Sequence, residues 1–180
     1  MTYPFRNFSP KRTCSEHFNN FRKYKKFLAE DFNHKCGYTN CSDFRFGGKT
    51  TFQIDHFKPQ KKYPHLKNTY SNLVYCCSFV NRAKWDDDSP NYLDPCDVDY
   101  NEHFERDNEG CIKAKTKQAQ YMIDHMNLNL QRYSICWKLD RLSEEIEKLE
   151  KIKVSPEIDK IKLTIYQEYM KYENYLKEEL

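Results

Sequence analysis

Asp55 and His56 stand side by side in Ile54-Asp55-His56-Phe57-Lys58-Pro59, and asparagines follow at Asn72, 16 residues after His56, and at Asn81, 9 residues after that. A carboxylate and a side-chain amide are hard oxygen donors suited to Mg2+ or Mn2+, and a neighbouring imidazole can take a proton from water. One divalent ion and one base suffice for phosphodiester hydrolysis. The ion offsets charge developing on the phosphate and the leaving oxygen, and the base generates the nucleophile. An Asp-His pair alone is more often a hydrogen-bonded structural histidine, so the weight lies on the ordered combination.

That combination resembles the HNH endonucleases of the ββα-metal fold. The resemblance rests on Asp55-His56, on Asn72 in Asn72-Leu73-Val74 and on Asn81 in Asn81-Arg82-Ala83-Lys84, preceded by the pair Cys36 and Cys41; it covers residues 32–85. It implies His56 as the general base, Asp55 and Asn81 as protein ligands of a catalytic Mg2+ or Mn2+, and Asn72 as the residue whose hydrogen bonds hold the loop that presents His56. Lys84 follows Asn81 by three residues, hence on the same helix face, where it is either a phosphate contact or a solvent-facing lysine.

Many cysteine-bearing relatives tie the ββα unit together with Zn2+ held by two Cys pairs, a staple that so small a core needs. Cys36-Gly37-Tyr38-Thr39-Asn40-Cys41 supplies one C-x4-C pair. The second pair departs from the family pattern. Cysteines are expected five and eight residues after the middle Asn, and those positions hold Cys77 and Val80. The resemblance then implies Cys36, Cys41, Cys77 and Cys96 as ligands of a structural zinc, with Cys96 in Asp94-Pro95-Cys96 supplying the fourth sulfur. Cys76 is the alternative, although neighbours on a strand face opposite ways, and His34 is a further substitute. A metal-free reading, with Cys76 and Cys77 as small buried residues, stays open. Cys14, Cys111 and Cys136 read as core thiols.

These residues need elements to hold them. Phe18, Phe21, Tyr24, Phe27 and Leu28 form a helical stripe within residues 14–32, with Arg22, Lys23, Lys25 and Lys26 beside it. Glycines between aromatic and β-branched residues from Cys36 to Ile54 predict a turn and a small hairpin. Leu73-Val74-Tyr75 leads into a helix that Asp86-Asp87-Asp88-Ser89-Pro90 stops. Residues 91–112 read as a turn-rich acidic wrap ending in a short strand. Helices are expected from about Lys115 to His125 and from Leu130 to Lys153, and a third opens at Ser155-Pro156-Glu157 as N-cap, N1 proline and acidic first turn. Ile135, Leu139, Leu142, Ile146 and Leu149 face Ile158, Ile161, Ile165, Tyr169 and Tyr172 as the two seams of a helical hairpin. The fold class is therefore α+β: a ββα-metal core at 32–114 including the acidic loop, an N-terminal basic helical lead at 1–31, and a C-terminal helical arm at 115–180 for packing or partner docking.

At 180 residues the chain has room for one modest core, which 14 Tyr, 12 Phe and 2 Trp can close. With 32% charged residues and a mean hydropathy of −1.00, no membrane span is expected. The opening Met1 to Arg6 lacks the layout of a signal peptide, so a reducing, cytoplasmic setting is expected. Residues 1–62 carry 13 Lys/Arg against 5 Asp/Glu, whereas both later thirds are slightly acidic. The basic part includes Lys58, Lys61 and Lys62 just after the Asp-His pair, placed to meet the phosphates of a nucleic acid, DNA rather than RNA by the resemblance. Asp94-Pro95-Cys96, Glu102-His103-Phe104 and Asp107-Asn108-Glu109-Gly110, together with the helical arm, resemble nuclease subunits of Septu-type anti-phage systems, in which an ATPase partner controls the nuclease. Two rival readings are a zinc-stabilised nucleic-acid-binding module without hydrolysis and an interaction protein built on the helical hairpin.

Overall fold

The computed structural model describes residues 1–178, which form two units, Met1–Asn129 and a second from Leu130 onward. The first unit is α+β. A three-stranded antiparallel sheet is built from β1 (Tyr3–Pro4), β4 (Phe104–Arg106) and β5 (Ile112–Ala114) in the order β1-β4-β5. A second, two-stranded sheet pairs β2 (Gln53–His56) with β3 (Leu73–Cys76), in a register that sets Asp55 opposite Val74 and His56 opposite Leu73. The helices of this unit are α1 (Lys25–Asp31), α2 (Ser78–Lys84), the single turn α3 (Tyr100–His103) and α4 (Lys117–His125).

β2, β3 and α2 follow one another as strand, strand, helix, with α2 packed on β2. All four residues of β3 are buried, consistent with its unbroken apolar run. The hairpin expected inside residues 36–54 does not form there. Only a single bridge joins Lys35 to Ser42, and β2 finds its partner beyond a long loop in β3. The residues between fold instead as a knuckle at 36–41, closed by the Cys36 N–H on the Cys41 carbonyl at 2.9 Å, and as a 3-10 turn at Asp43–Phe46. That turn ends on Gly47 at φ 88°, a left-handed position open to glycine at no steric cost. At Gly37 an added Cβ would stand 2.7 Å from the Phe32 ring and 2.9 Å from Val74, so the knuckle can lie against β3 only because that residue lacks a side chain.

The basic stripe is helical over half of its expected length. A 3-10 turn at Phe21–Tyr24 runs into α1, and residues before Phe21 fold back along it. The Tyr24 hydroxyl takes the Phe18 N–H and donates to the Glu16 carbonyl, while the Thr13 N–H and hydroxyl both bind Asp31. Those side-chain bonds satisfy the backbone that a helix would otherwise pair. The N-terminal lead is part of the core, since Arg12 reaches the Leu73 carbonyl at 3.1 Å and Asp94 at 2.8 Å, tying the start of β3 to the acidic turn.

α4 belongs to the first unit and packs on β5, so the arm starts at Leu130, not at residue 115. The second unit is the hairpin of α5 (Gln131–Glu150) and α6 (Pro156–Glu178). Contacts of Gln131 with Tyr175, Lys138 with Tyr172 and Glu150 with Tyr166 show that the helices run antiparallel. Ser155 caps α6 through its hydroxyl to the Ile158 N–H at 3.3 Å. Ile161, expected in the seam, is 47% exposed, because two helices alone have no third surface to cover that side of the stripe. No helix of the described residues is long and apolar enough to cross a membrane.

Candidate active site

His56 closes β2 at the edge of an open cleft of about 260 Å3, whose walls include Phe21, Asp55, Lys61, Asn81 and Trp85. His56 as a residue is 8% exposed, with Phe21 edge-on at 4.7 Å between ring centroids. Its Nε2 lies 2.9 Å from the Lys67 carbonyl oxygen. A carbonyl only accepts, so Nε2 carries the proton and Nδ1 keeps a lone pair. Nδ1 has no hydrogen-bond partner among the described residues. Burial lowers the imidazole's pKa below its ordinary value, outweighing the Lys67 hydrogen bond and the charge of Asp55, so the neutral, proton-accepting form dominates at neutral pH.

Asn72 shapes the loop that carries the Lys67 carbonyl. Its Oδ1 accepts the Lys58 N–H at 2.8 Å, and its Nδ2 donates to the Lys58 carbonyl at 3.0 Å and to Leu66 at 3.4 Å. Its own carbonyl takes the Phe57 N–H at 2.9 Å. One buried amide thus ties both ends of the 57–71 connection together.

Asp55 is 3% exposed, and both of its oxygens are engaged: Oδ2 accepts the Tyr38 hydroxyl at 2.7 Å and Oδ1 the Lys84 ammonium at 3.1 Å. Lys84 is not at the surface. Its side chain is fully buried, and Nζ also donates to the His56 carbonyl at 2.9 Å, so it cannot meet a phosphate; it fixes the backbone of the Asp-His pair from beneath. The expectation of a phosphate contact fails because three residues on from Asn81 is the same helix face only approximately, and here α2 turns Lys84 inward onto β2. Lys58 is partly exposed and paired with Asp88 at 3.0 Å.

Asn81 lines the same cleft as Asp55 and His56, and its Nδ2 donates to Gln53 Oε1 at 2.7 Å, leaving the amide oxygen unclaimed among the described residues. Each Asp55 oxygen has a second lone pair. Asp55 and Asn81 are the oxygen donors on this cleft that could hold a hard ion of the Mg2+ type, which takes one or two protein oxygens and keeps waters or substrate oxygens for the rest, although the Asp55 charge is already met by Lys84.

The expected four-sulfur zinc site is not assembled. Cys36 and Cys77 meet, thiol to thiol. Burial pushes the Cys36 thiol up, but hydrogen bonds from Cys77, Thr39 and the Cys77 and Tyr38 backbone outweigh it and bring it below the usual range; Cys77, bonded to Cys36 and buried, is pushed well above it. The Cys41 thiol contacts the Thr39 carbonyl at 3.7 Å, Cys76 faces the other way onto the Gln53 carbonyl at 3.9 Å, and Cys96 sits in a turn with its N–H on Asp94. Among the described residues no three His, Cys, Asp or Glu side chains gather to hold an ion. Val80 occupies the place of the missing sulfur and is completely buried, so apolar packing fills that corner. His34 is exposed and bound to Asp43 at 3.2 Å, not to the cysteines.

Four contributors had no signature in residue spacing. Tyr38 inside the knuckle, Gln53 at the head of β2, Phe21 on the N-terminal turn and the Lys67 carbonyl all act through tertiary contact, and a backbone carbonyl has no side-chain identity to read. Trp85, which ends α2 at φ 48°, is the one rim residue whose backbone is left-handed; its indole lies 5.3 Å from the Lys61 ammonium.

No protein-family model matches this chain. The chain is similar to the Septu protein PtuB of Bacillus thuringiensis, 29% identical over 121 residues, a span that is 66% of this chain and 42% of that protein. The chain thus spans less than half the length of the relative it matches.

Proposed function

We propose that this chain is an HNH-type endonuclease that hydrolyses DNA phosphodiester bonds, with His56 as general base. The observation that carries the reading is the held tautomer of His56: Nε2–H on a backbone carbonyl, Nδ1 unpartnered, and Asp55 and Asn81 on the walls of the same cleft. In this reading a water is oriented by Nδ1 and attacks phosphorus. Its proton passes to Nδ1 as the new P–O bond forms, the bond to the leaving sugar oxygen breaks, and that oxygen takes a proton from solvent. Asp55 and Asn81 would hold a divalent Mg2+ or Mn2+, which supplies charge compensation at the phosphate and the leaving oxygen. Lys84 and Tyr38 orient Asp55, and Asn72 and the Lys67 carbonyl orient His56.

The similarity to a Septu protein supports a role in bacterial anti-phage defence, in which the α5–α6 hairpin is the surface for an ATPase partner that controls the nuclease. One observation favours a second reading, a nucleic-acid-binding module without hydrolysis: the Asp55 charge is already met by Lys84. Supercoiled plasmid incubated with the protein and Mg2+ or Mn2+ separates the two. Nicking or linearisation that is abolished by His56→Ala and by EDTA is the expected result. Cleavage that survives His56→Ala removes His56 as the base, and binding without cleavage by wild type supports the second reading.

A further inference from the structure

Beside the catalytic cleft lies a larger groove of about 410 Å3, walled by Arg22, Lys23, Lys25, Lys26, His34 and Lys49. Glu30 is the single acid on its walls. Five permanent cations around one concavity repel one another unless something negative lies between them. Two acids, Glu30 on the wall and Asp43 beside Lys25 and His34, offset only part of that charge. None of Arg22, Lys23, Lys25, Lys26 or Lys49 forms an ion pair among the described residues, whereas Lys58, Lys61 and Lys84 each have an aspartate.

The cations are also held in place. Arg22 lies over the Phe21 ring at 5.7 Å, Lys26 over Phe27 at 4.6 Å and Lys23 over Phe18 at 5.9 Å, and Lys25 donates to the Thr50 carbonyl at 3.2 Å. Groove and cleft are linked through consecutive residues, Phe21 on the cleft and Arg22 on the groove. Phe21 packs edge-on against His56, and the next residue, Arg22, lines the groove, so phosphates flanking one held in the cleft lie within a residue's reach of the cationic concavity.

We propose that this groove, formed by the Phe21–Tyr24 turn, α1 and the Lys49-Thr50 loop, is the track for the phosphate backbone of duplex DNA and sets the scissile phosphate into the His56 cleft. The assignment rests on the nuclease reading for the cleft itself. It accounts for the concentration of Lys and Arg in the first third of the sequence, which the catalytic residues do not use. Backbone contacts of this kind carry affinity and register without sequence preference.

The test is the salt dependence of binding, measured by fluorescence anisotropy with a labelled 30-base-pair DNA duplex in EDTA, where hydrolysis is suppressed. Each phosphate neutralised contributes about 0.9 to the slope of log K against log salt. Replacing Arg22, Lys23, Lys26 and Lys49 with Gln should therefore make the slope shallower by about 3 to 4, so that between roughly 50 and 200 mM salt the wild type loses on the order of 100-fold more affinity than the variant. A control removes the same charge from the second unit, at the exposed Lys148, Lys151, Lys153 and Lys160, and should keep the wild-type slope. All four groove positions are exposed, and matching circular dichroism and melting curves confirm folding; Lys23→Glu and Lys26→Glu as single variants give a second measurement with less change to the surface.

An unchanged slope in the groove variant, an equal loss in the control, or no duplex binding by wild type overturns the proposal. Tighter binding of an RNA duplex than of the DNA duplex overturns the assignment to DNA. Binding that depends on the groove in a protein that cleaves nothing keeps the track and removes cleavage by this chain alone; cleavage by wild type with a groove-independent slope keeps the nuclease reading and removes the track.

Discussion

Removing the Lys84 ammonium should destabilise the first unit more than any surface change, because it strands a buried carboxylate. The Lys84 side chain is 0% and the Asp55 side chain 4% exposed, with Nζ 3.1 Å from Oδ1. At that separation the Coulomb attraction is about 5 kcal/mol for an effective dielectric of roughly 20, and the cost of desolvating both groups offsets much of it. The net worth of the pair is thus small, yet its half is costly. Lys84→Met keeps the stem and deletes the charge, leaving Asp55 with the Tyr38 hydroxyl alone and the His56 carbonyl without its donor. Breaking such a pair from one side costs about 3 to 5 kcal/mol. For a unit of this size that is a fall in Tm of roughly 10 to 20 °C.

Asp55→Asn should cost a similar amount, since it strands the ammonium instead, whereas Asp55→Asn combined with Lys84→Met should melt well above the sum of the two losses, by about 1 to 3 kcal/mol of coupling. Thermal and urea unfolding of the four proteins measures the cycle. A Lys84→Met melt within about 1 kcal/mol of wild type, or strict additivity in the double variant, would refute the buried-pair argument and return Lys84 to the surface role that its spacing first implied.

Three further outcomes are expected. Burial holds the His56 imidazole below its ordinary 6.5, so a base that must be neutral is fully active above that value and loses activity as pH falls through its lowered pKa; an acid limb of kcat/KM centred above 6.5 would contradict the site. Asn72→Ala removes three hydrogen bonds to the Lys58 and Leu66 backbone from a buried position, and should cost about 2 to 3 kcal/mol and lower kcat, with increased hydrogen exchange confined to residues 57–71 as the check. Chelation should leave the melting curve unchanged, because no three His, Cys, Asp or Glu side chains gather among the described residues; a Tm that drops in EDTA and recovers with Zn2+ would restore the zinc staple.

Much of the architecture was legible in linear order. The α5–α6 hairpin follows from seam spacing and from the Ser155-Pro156-Glu157 start, both local signals that no distant contact needs to complete. Asp55, His56 and Asn81 could be singled out because their types in that order define a chemistry, and the structure places all three on one cleft. Other expectations failed where local pattern met long-range competition. The glycine-rich stretch before β2 reads as a hairpin, but β2 gains more by pairing with the fully buried β3 across sixteen residues than with its own neighbour. The stripe at 14–32 has helical period, yet Tyr24 and Asp31 offer side-chain bonds that hold its first half in another path.

The sequence by itself determined the α+β class and the antiparallel helical arm and singled out Asp55, His56 and Asn81 as candidates, since each depends on residue type or on spacing within one element. Only the tertiary structure decided that Lys84 lies beneath Asp55, that the Lys67 carbonyl selects the His56 tautomer, that the sulfurs do not gather, and that five unpaired cations share one groove. Those facts turn on which groups become neighbours after the chain closes, and desolvation and hydrogen-bond partners exist only once that closure has taken place.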